Sequence, residues 1–308
     1  MANGTDWNSF TITEEFEGER LDRLLTGELK DYSRSFLQKI MKDGHVLLNG
    51  EAVKPSVKVS DGDVVTFQIP EKVIPDILPE DIPLDILYED EDVLVVNKPK
   101  DMVVHPAPGH YSGTLVNAVL YHCGDSLSGI NGVLRPGIVH RIDKDTTGSV
   151  IICKNDMAHR SIAQQLKDHT ITRRYRAICC GVLNKDDTVI NKPIGRDPQN
   201  RLKMAVVNGG KHAVTHVHVL ERFRDYTYVE CRLETGRTHQ IRVHMASVGH
   251  PLLGDPLYAG GRKAPFHTQG QCLHAMVLGF THPRTGEYIE TTAPLPEYFA
   301  HLLGVLRE

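Results

Sequence analysis

Apolar positions in residues 10–70 follow two periods. Leu21, Leu24, Leu25 and Leu29 recur at helical spacing, so residues 20–29 predict a short helix. SRSFLQKIMKDG predicts a second: Ser33 is a good N-cap, Leu37, Ile40 and Met41 form the inner stripe, and Gly44 sits where the helix stops. HVLLNGEAV then reads as two short strands around Asn49-Gly50, a strong hairpin signal, and GDVVTFQIP as a strand ended by Pro70. Pro75, Pro79 and Pro83 disfavour regular helix over the next stretch. Residues 73–85 are therefore expected to be an extended linker between a small α/β unit at 10–72 and a larger unit at 86–308.

The larger unit is richer in strands. ILYEDEDVLVVNKP predicts two strands around an acidic turn, with VLVV central, and SVIICK a buried strand. YRAICCGVL, HAVTHVHVLERF, YTYVECRLET and EYIETTAP read as further strands. GTLVNAVLYHC is a candidate helix. NDMAHRSIAQQLKDHT is another, capped by Asn155 or Asp156, with Ala158, Ile162 and Leu166 on its stripe. Many strands with a few interspersed helices predict an α+β domain built on a mixed, largely antiparallel sheet.

Composition adds one asymmetry. The 308 residues carry a net charge of −4, which argues against a polyanion partner. Yet residues 1–100 hold 11 Lys/Arg against 21 Asp/Glu, while residues 137–250 hold 19 against 11. A basic middle suggests a surface facing nucleic acid. No stretch has the apolar length of a membrane span, and the N-terminus lacks the features of a secretory signal, so a cytoplasmic protein is expected. The six cysteines are scattered without a CxxC pair and read as small hydrophobes in a reducing compartment.

Three segments are candidates for chemistry. GIVHRIDKDTTGSVIIC places His140, Arg141, Asp143, Lys144 and Asp145 in a loop flanked by two apolar strands, a common setting for catalytic groups and also for an ordinary polar turn. In LETGRTHQIRVH, Thr238 is expected to cap a helix or extended piece carrying Gln240, Arg242 and His244, and Arg237 is a natural partner for a carboxylate or phosphate. In ITRRYRAICC, strand alternation puts Arg173, Tyr175 and Ala177 on one face and Arg174 and Arg176 on the other, so Tyr175 in a basic setting is placed to stack on a base. His212, His216, His218, His239 and His244 raise a metal hypothesis, but no HExxH or CxxC accompanies them. Walker, dinucleotide-binding and GxSxG motifs are also missing, which weakens nucleotide-cofactor and serine-hydrolase readings.

Taken in order, YEDEDVLVVNKP, MVVHPAPG, GTLVNAVL, RPGIVHRIDKDTTG, RRYRAICCG, LETGRTHQIRVHMASVGHPLLGDPLY and LHAMVLGFTHP resemble the RluA/RluD group of RNA pseudouridine synthases across residues 86–296. The N-terminal unit is similar to the alpha-L (S-four) RNA-binding domain. The resemblance implies the pseudouridine synthase fold, with helices flanking the sheet and a central cleft. It implies Asp143 as catalytic carboxylate, Tyr175 as the active-site tyrosine that stacks on the uracil and transfers a proton at C5, Arg237 as the partner of the aspartate, and Arg141 as the residue that fills the stack when the base flips. Ile142 stands where the family has leucine, and Asp101 where it has glycine; the second change questions the local turn shape. Asp145 is expected to face away from the site.

The implied reaction breaks the N1–C1′ bond of uridine, rotates the base and rejoins it at C5. Nothing is added or lost, so no cofactor and no metal is expected. Asp143 must be ionised whether it attacks the sugar, attacks the base or removes a sugar proton. His140, Arg141, Gln240 and Arg242 in the larger unit, with Arg20, Arg23, Arg34, Lys39 and Lys42 in the smaller, are the expected RNA contacts. The partner is RNA, with large-subunit ribosomal RNA placed ahead of transfer RNA, and the chain is taken to act as a monomer. Two rival readings are a noncatalytic ribosome-assembly factor and a metal-dependent hydrolase using the histidines.

Overall fold

The computed structural model describes residues 7–70, 77–106, 111–124, 126–130, 136–260, 266 and 268–308. Residues 73–76 of the expected linker, the end of MVVHPAPG and Arg135 of the RPG motif lie outside them. The chain divides into two compact units, Met1–Ile74 and Pro75–Glu308.

In the first unit, β1 (Asn8–Thr11) is followed by α1 (Leu21–Glu28), α2 (Arg34–Lys42), β2 (Val46–Leu48), β3 (Glu51–Ala52) and β4 (Val64–Phe67). The strands form an antiparallel sheet of order β1-β4-β2-β3. Ser33 caps α2 by accepting from the Phe36 N–H. The hairpin β2–β3 turns on Asn49 and Gly50, both at positive φ (53° and 83°), as that dipeptide favours. Leu21, Leu24 and Leu25 meet Leu37, Ile40 and Met41 over Val46 and Val65, giving the unit its own core.

The second unit comprises β5 (Ile86–Glu89), β6 (Val93–Lys98), α3 (Leu115–Cys123), β7 (Thr147–Cys153), α4 (Asp156–Lys167), β8 (Thr172–Cys180), β9 (Asp187–Asn191), β10 (Ile194–Arg196), β11 (Met204–Val206), β12 (Val214–Arg222), β13 (Tyr226–Leu233), α5 (Gln240–Ser247), β14 (Leu273–Thr281), β15 (Tyr288–Thr292) and α6 (Glu297–Arg307). Its main sheet runs β5-β6-β7-β14-β8-β13-β12-β9, with β15 also paired to β14. All its pairings are antiparallel except β7 with β14. Alternation splits the sheet residues between two cores. Leu94, Val96, Val150 and Ile152 face α3 and α5, while Val93, Val95, Ile151 and Cys153 face Ala158 and Ile162 of α4.

The Pro-rich segment differs from a free spacer. Its described part, 77–85, has no helix or strand, but Ile77, Ile82 and Leu84 pack on the core of the second unit. Asn117 of α3 holds it at both backbone polarities, donating to the Leu78 carbonyl (2.8 Å) and accepting at its own carbonyl from the Glu80 N–H (3.0 Å).

Candidate active site

A cleft of about 530 Å³ opens in the second unit, lined by the 139–143 loop, the end of α4, β8, the end of β13 and the start of α5. Asp143 reaches it from the turn before β7, where the Thr146 N–H donates to the Asp143 carbonyl. The segment before that turn is not a strand as expected: Ile138 makes one isolated bridge with Ile152. After it, Gly148 (φ 108°) lets β7 pass β14, because a Cβ there would stand 2.3 Å from the Ala275 carbonyl oxygen. Beneath the turn, buried Lys98 donates to the carbonyls of Pro99, Met102 and Lys144. Burial drops its pKa to about 7. Asp101 adopts φ 66°, the left-handed conformation a glycine would take, and pairs with Lys144 at 2.8 Å, so the substitution keeps a tight turn. Asp145 stands against Gly270 and does not line the cleft.

The partner of Asp143 is Arg242, which corrects the expected pairing with Arg237. Arg242 Nη1 lies 2.8 Å from Asp143 Oδ2. Its other edge grips Asp255 through Nε (2.7 Å) and Nη2 (2.9 Å), and the Asp255 side chain is fully buried. Burial works against the Arg242 charge, but the two carboxylates outweigh it and raise the pKa. Arg237 turns away: its Nε donates to the His212 carbonyl at 2.9 Å, though it still lines the cleft. The physical reason is helix geometry. Gln240, Arg242 and His244 lie on α5, so Gln240 and His244 share one face while Arg242 projects from the opposite side, toward Asp143.

His239, not Thr238, is the N-cap of α5. It sits in the left-handed region (φ 56°, ψ 22°), which few residues other than glycine adopt. Its Nδ1 is 2.8 Å from the Tyr258 hydroxyl, which also accepts the Met204 N–H. Its Nε2 lies 3.7 Å from Asp143 Oδ1. Burial lowers the His239 pKa, against the raising effect of Asp143. Sequence reasoning passes over His239 except as a metal candidate, and the αL cap that aims it has no sequence signature outside glycine and asparagine.

Tyr175 and Arg173 share the inward face of β8, while Arg174 and Arg176 face outward to Glu290 and Glu230. Burial raises the Tyr175 pKa, and nearby Asp143 adds to it against the opposing charge of Arg173. The phenol therefore stays protonated at neutral pH. Arg141 is exposed at the cleft, its Nη1 3.2 Å from His105 Nε2.

Two expected RNA contacts are occupied otherwise. His140 Nε2 accepts the Ile151 N–H (3.0 Å), and burial, reinforced by Arg173, pushes its pKa down to about 3, so it brings no charge. Gln240 is buried with both ends engaged: its oxygen accepts from Thr235 Oγ1 and the Arg237 N–H, and its nitrogen donates to the Val214 carbonyl and Thr215 Oγ1. In the first unit, Arg20 and Arg34 converge with Gln38 on the buried carboxylate of Asp22, while Arg23, Lys39 and Lys42 are exposed.

The histidines do not converge. His216 pairs with Glu234, His218 with Asp187, and His244 is held by Thr215 and the Lys192 carbonyl. Among the described residues, one trio could hold a metal, Asp90, Asp92 and His282, with ligand atoms within 4.8 Å of one another. It does not line the cleft, and the Arg284 guanidinium already binds both oxygens of Asp92.

The sequence matches the family described as RNA pseudouridylate synthase over residues 92–247 and the S4 domain over 19–65. A Bacillus subtilis protein described as "Uncharacterized RNA pseudouridine synthase YlyB" is 57% identical over 298 residues, covering 97% of each chain. "Ribosomal large subunit pseudouridine synthase D" of Zymomonas mobilis is 48% identical over 306 residues, covering 96% of each. A solved structure, "Human RNA Pseudouridylate Synthase Domain Containing 1", is 25% identical and superposes with a TM-score of 0.57 over 74% of this chain and 96% of that one.

Proposed function

Because the chain belongs to the RNA pseudouridylate synthase family, we propose that it isomerises uridines of large-subunit ribosomal RNA in the cytoplasm, with Asp143 engaging the flipped nucleotide. The observation that carries the site assignment is the charge arrangement in the cleft. Asp143 is the one carboxylate lining it among the described residues, and it is paired with an arginine that is itself locked to a second, buried carboxylate. The choice of ribosomal RNA rests on relatives that carry that substrate in their description and match nearly the whole chain.

The isomerisation releases the base at N1, turns it within the cleft and joins C5 to C1′. The proton leaving C5 is balanced by one gained at N1. No electron or group enters, so the chemistry requires neither a redox cofactor nor a group donor. Asp143 acts on the nucleotide as the carboxylate that Arg242 holds in place. Tyr175, kept neutral by burial, offers its ring as a platform for the uracil rather than acting as a base. Arg141, exposed beside these groups, fills the gap left in the RNA stack.

Carbodiimide-labelled primer extension on ribosomal and transfer RNA, from cells with and without the protein, tests the substrate. A loss of signal in the large-subunit RNA is expected; a loss confined to transfer RNA would overturn that assignment. Asp143→Asn leaves Arg242 bound to Asp255, so a folded variant is expected with activity down at least about a hundredfold. A folded Asp143→Asn that forms pseudouridine at the normal rate would remove Asp143 from its role.

A further inference from the structure

Strand β8 treats its three arginines differently. Arg174 and Arg176, on the outer face, each meet a glutamate. Arg173, on the cleft face, is only 7% exposed and has no carboxylate partner among the described residues. Its Nη2 donates to the Glu234 carbonyl at 3.1 Å, and its Nε is buried with no hydrogen-bond partner. Space is reserved for it: a Cβ on Gly236 would come within 2.5 Å of Arg173 Nη1. A buried cation satisfied by one neutral carbonyl is unfavourable unless an anion completes it.

The rest of the cleft sharpens this. Asp143 is paired with Arg242, and Arg141, Lys167, Arg173 and Arg237 remain as cations on the walls. Arg141 and Lys167 are exposed and Arg237 is partly so, hence hydrated without a ligand. Of these four, Arg173 alone is withdrawn from water. RNA carries its negative charge on its phosphodiesters, whereas the uracil offers only neutral carbonyls. We propose that Arg173 is the anion site of the cleft, its Nη1, beside Gly236 and without a hydrogen bond among the described residues, taking a phosphate oxygen of the nucleotide that enters beside Asp143. Charge-assisted bonds to a phosphate held away from water are among the stronger ones available. They would offset part of the cost of unstacking the base. Placing that phosphate on β8 also fixes the nucleotide relative to Tyr175, two residues along the same strand face. This inference rests on the proposed function, since it needs RNA in this cleft.

The test uses the full-length protein and a ribosomal RNA fragment that it modifies, carrying a neutral methylphosphonate in place of the phosphate on either side of the target uridine. Wild type is expected to lose about 10- to 100-fold in kcat/KM, mainly through KM, at one of the two positions. Arg173→Gln should show a loss of that size on the unmodified RNA and about threefold or less further loss on the modified RNA, because the two changes remove one interaction. Arg173→Lys, which keeps the charge, should recover part of the binding and lose it again on the modified RNA. If the wild type is indifferent to both methylphosphonates, or if the two losses multiply, Arg173 binds no phosphate and serves only to hold the Glu234 carbonyl. The wild-type arm needs no variant, so indifference there overturns the proposal even if Arg173→Gln is destabilised, and the Arg173→Lys arm then assigns any loss to this side chain. Failure of the wild type to form pseudouridine in any ribosomal RNA fragment would overturn the proposed function itself, and this inference with it.

Discussion

Two arginines five positions apart, Arg237 and Arg242, show what a sequence resolves at the scale of a residue. Both sit in one polar segment, and either can fork onto a carboxylate. Only the start of α5 at Gln240 decides which faces Asp143, and that start depends on a left-handed histidine. The difference is measurable. Arg242→Gln strands the buried Asp255 carboxylate, so a stability loss of about 3–5 kcal/mol is expected in urea melts, with activity lost. Arg237→Gln gives up one bond to a carbonyl, and a loss of less than about 1 kcal/mol with turnover retained is expected. Equal effects on stability would mean that Arg242 does not bridge the two aspartates. Asp143 itself is legible through its motif, as is the inward face of Tyr175 through strand alternation. His140 lines the cleft, but sequence does not reveal that its Nε2 accepts a backbone N–H. Its pKa falls from 6.5 to about 3 on folding, so below pH 6.5 the unfolded chain binds a proton that the folded one refuses. Its contribution is complete above pH 6.5 and is lost as the pH falls toward 3. His140→Asn should flatten the pH dependence of stability across that window; parallel curves for variant and wild type would show that His140 does not titrate as its burial implies.

At the scale of elements, sequence reading finds the helices of the first unit and α4 by their buried stripes, β8, β12 and β13 by alternation, and α3 and β7 as largely apolar runs. It passes over β9, β10 and β11, whose short and exposed runs carry little hydrophobic pattern, and over α6, whose Phe299, Leu302 and Leu303 cover Ile178 and Leu253. α5 is the costliest ambiguity. Its polar and apolar residues alternate without one helical stripe, and the polar ones read as a binding surface. Gln240 instead ties the helix start to β12 and to the turn after β13, using both ends of its amide inside the protein. Gln240→Leu leaves those partners buried without replacements, and a loss of about 2–4 kcal/mol is expected in denaturant melts. Since His239 and Arg242 ride on the same helix, activity should fall even where the variant is fully folded. Wild-type stability in Gln240→Leu would mean that the amide is not what docks α5.

For the whole molecule, the net charge of −4 hides where RNA can be held. The first unit carries an acidic surplus, yet one of its acids is spent inward. Asp22 is fully buried and collects Arg20 and Arg34, whose side chains remain 41% and 46% exposed beside it. The S4 match covers this arrangement, in which one carboxylate between two guanidinium groups leaves a net positive charge. Sequence position alone makes Arg20, Arg23, Arg34 and Lys42 equivalent candidates; the fold separates them. Neutralising Arg34 also loosens Asp22, whose pKa is held low by Arg20, Arg34 and Gln38 against the opposing effect of burial, so that variant confounds binding with folding. Arg23 and Lys42 are exposed and separate the two. The double variant Arg23→Gln, Lys42→Gln is expected to fold as wild type and to bind RNA more weakly. Its plot of log affinity against log salt should flatten by about 0.7–0.9 for each phosphate no longer neutralised. Because such interactions position RNA without entering the reaction, kcat at saturating RNA should hold while KM rises. An unchanged salt slope would place the RNA on another face of this unit. A fall in kcat with KM unchanged would mean that these side chains act on the chemical step, which the positioning of a phosphate does not explain.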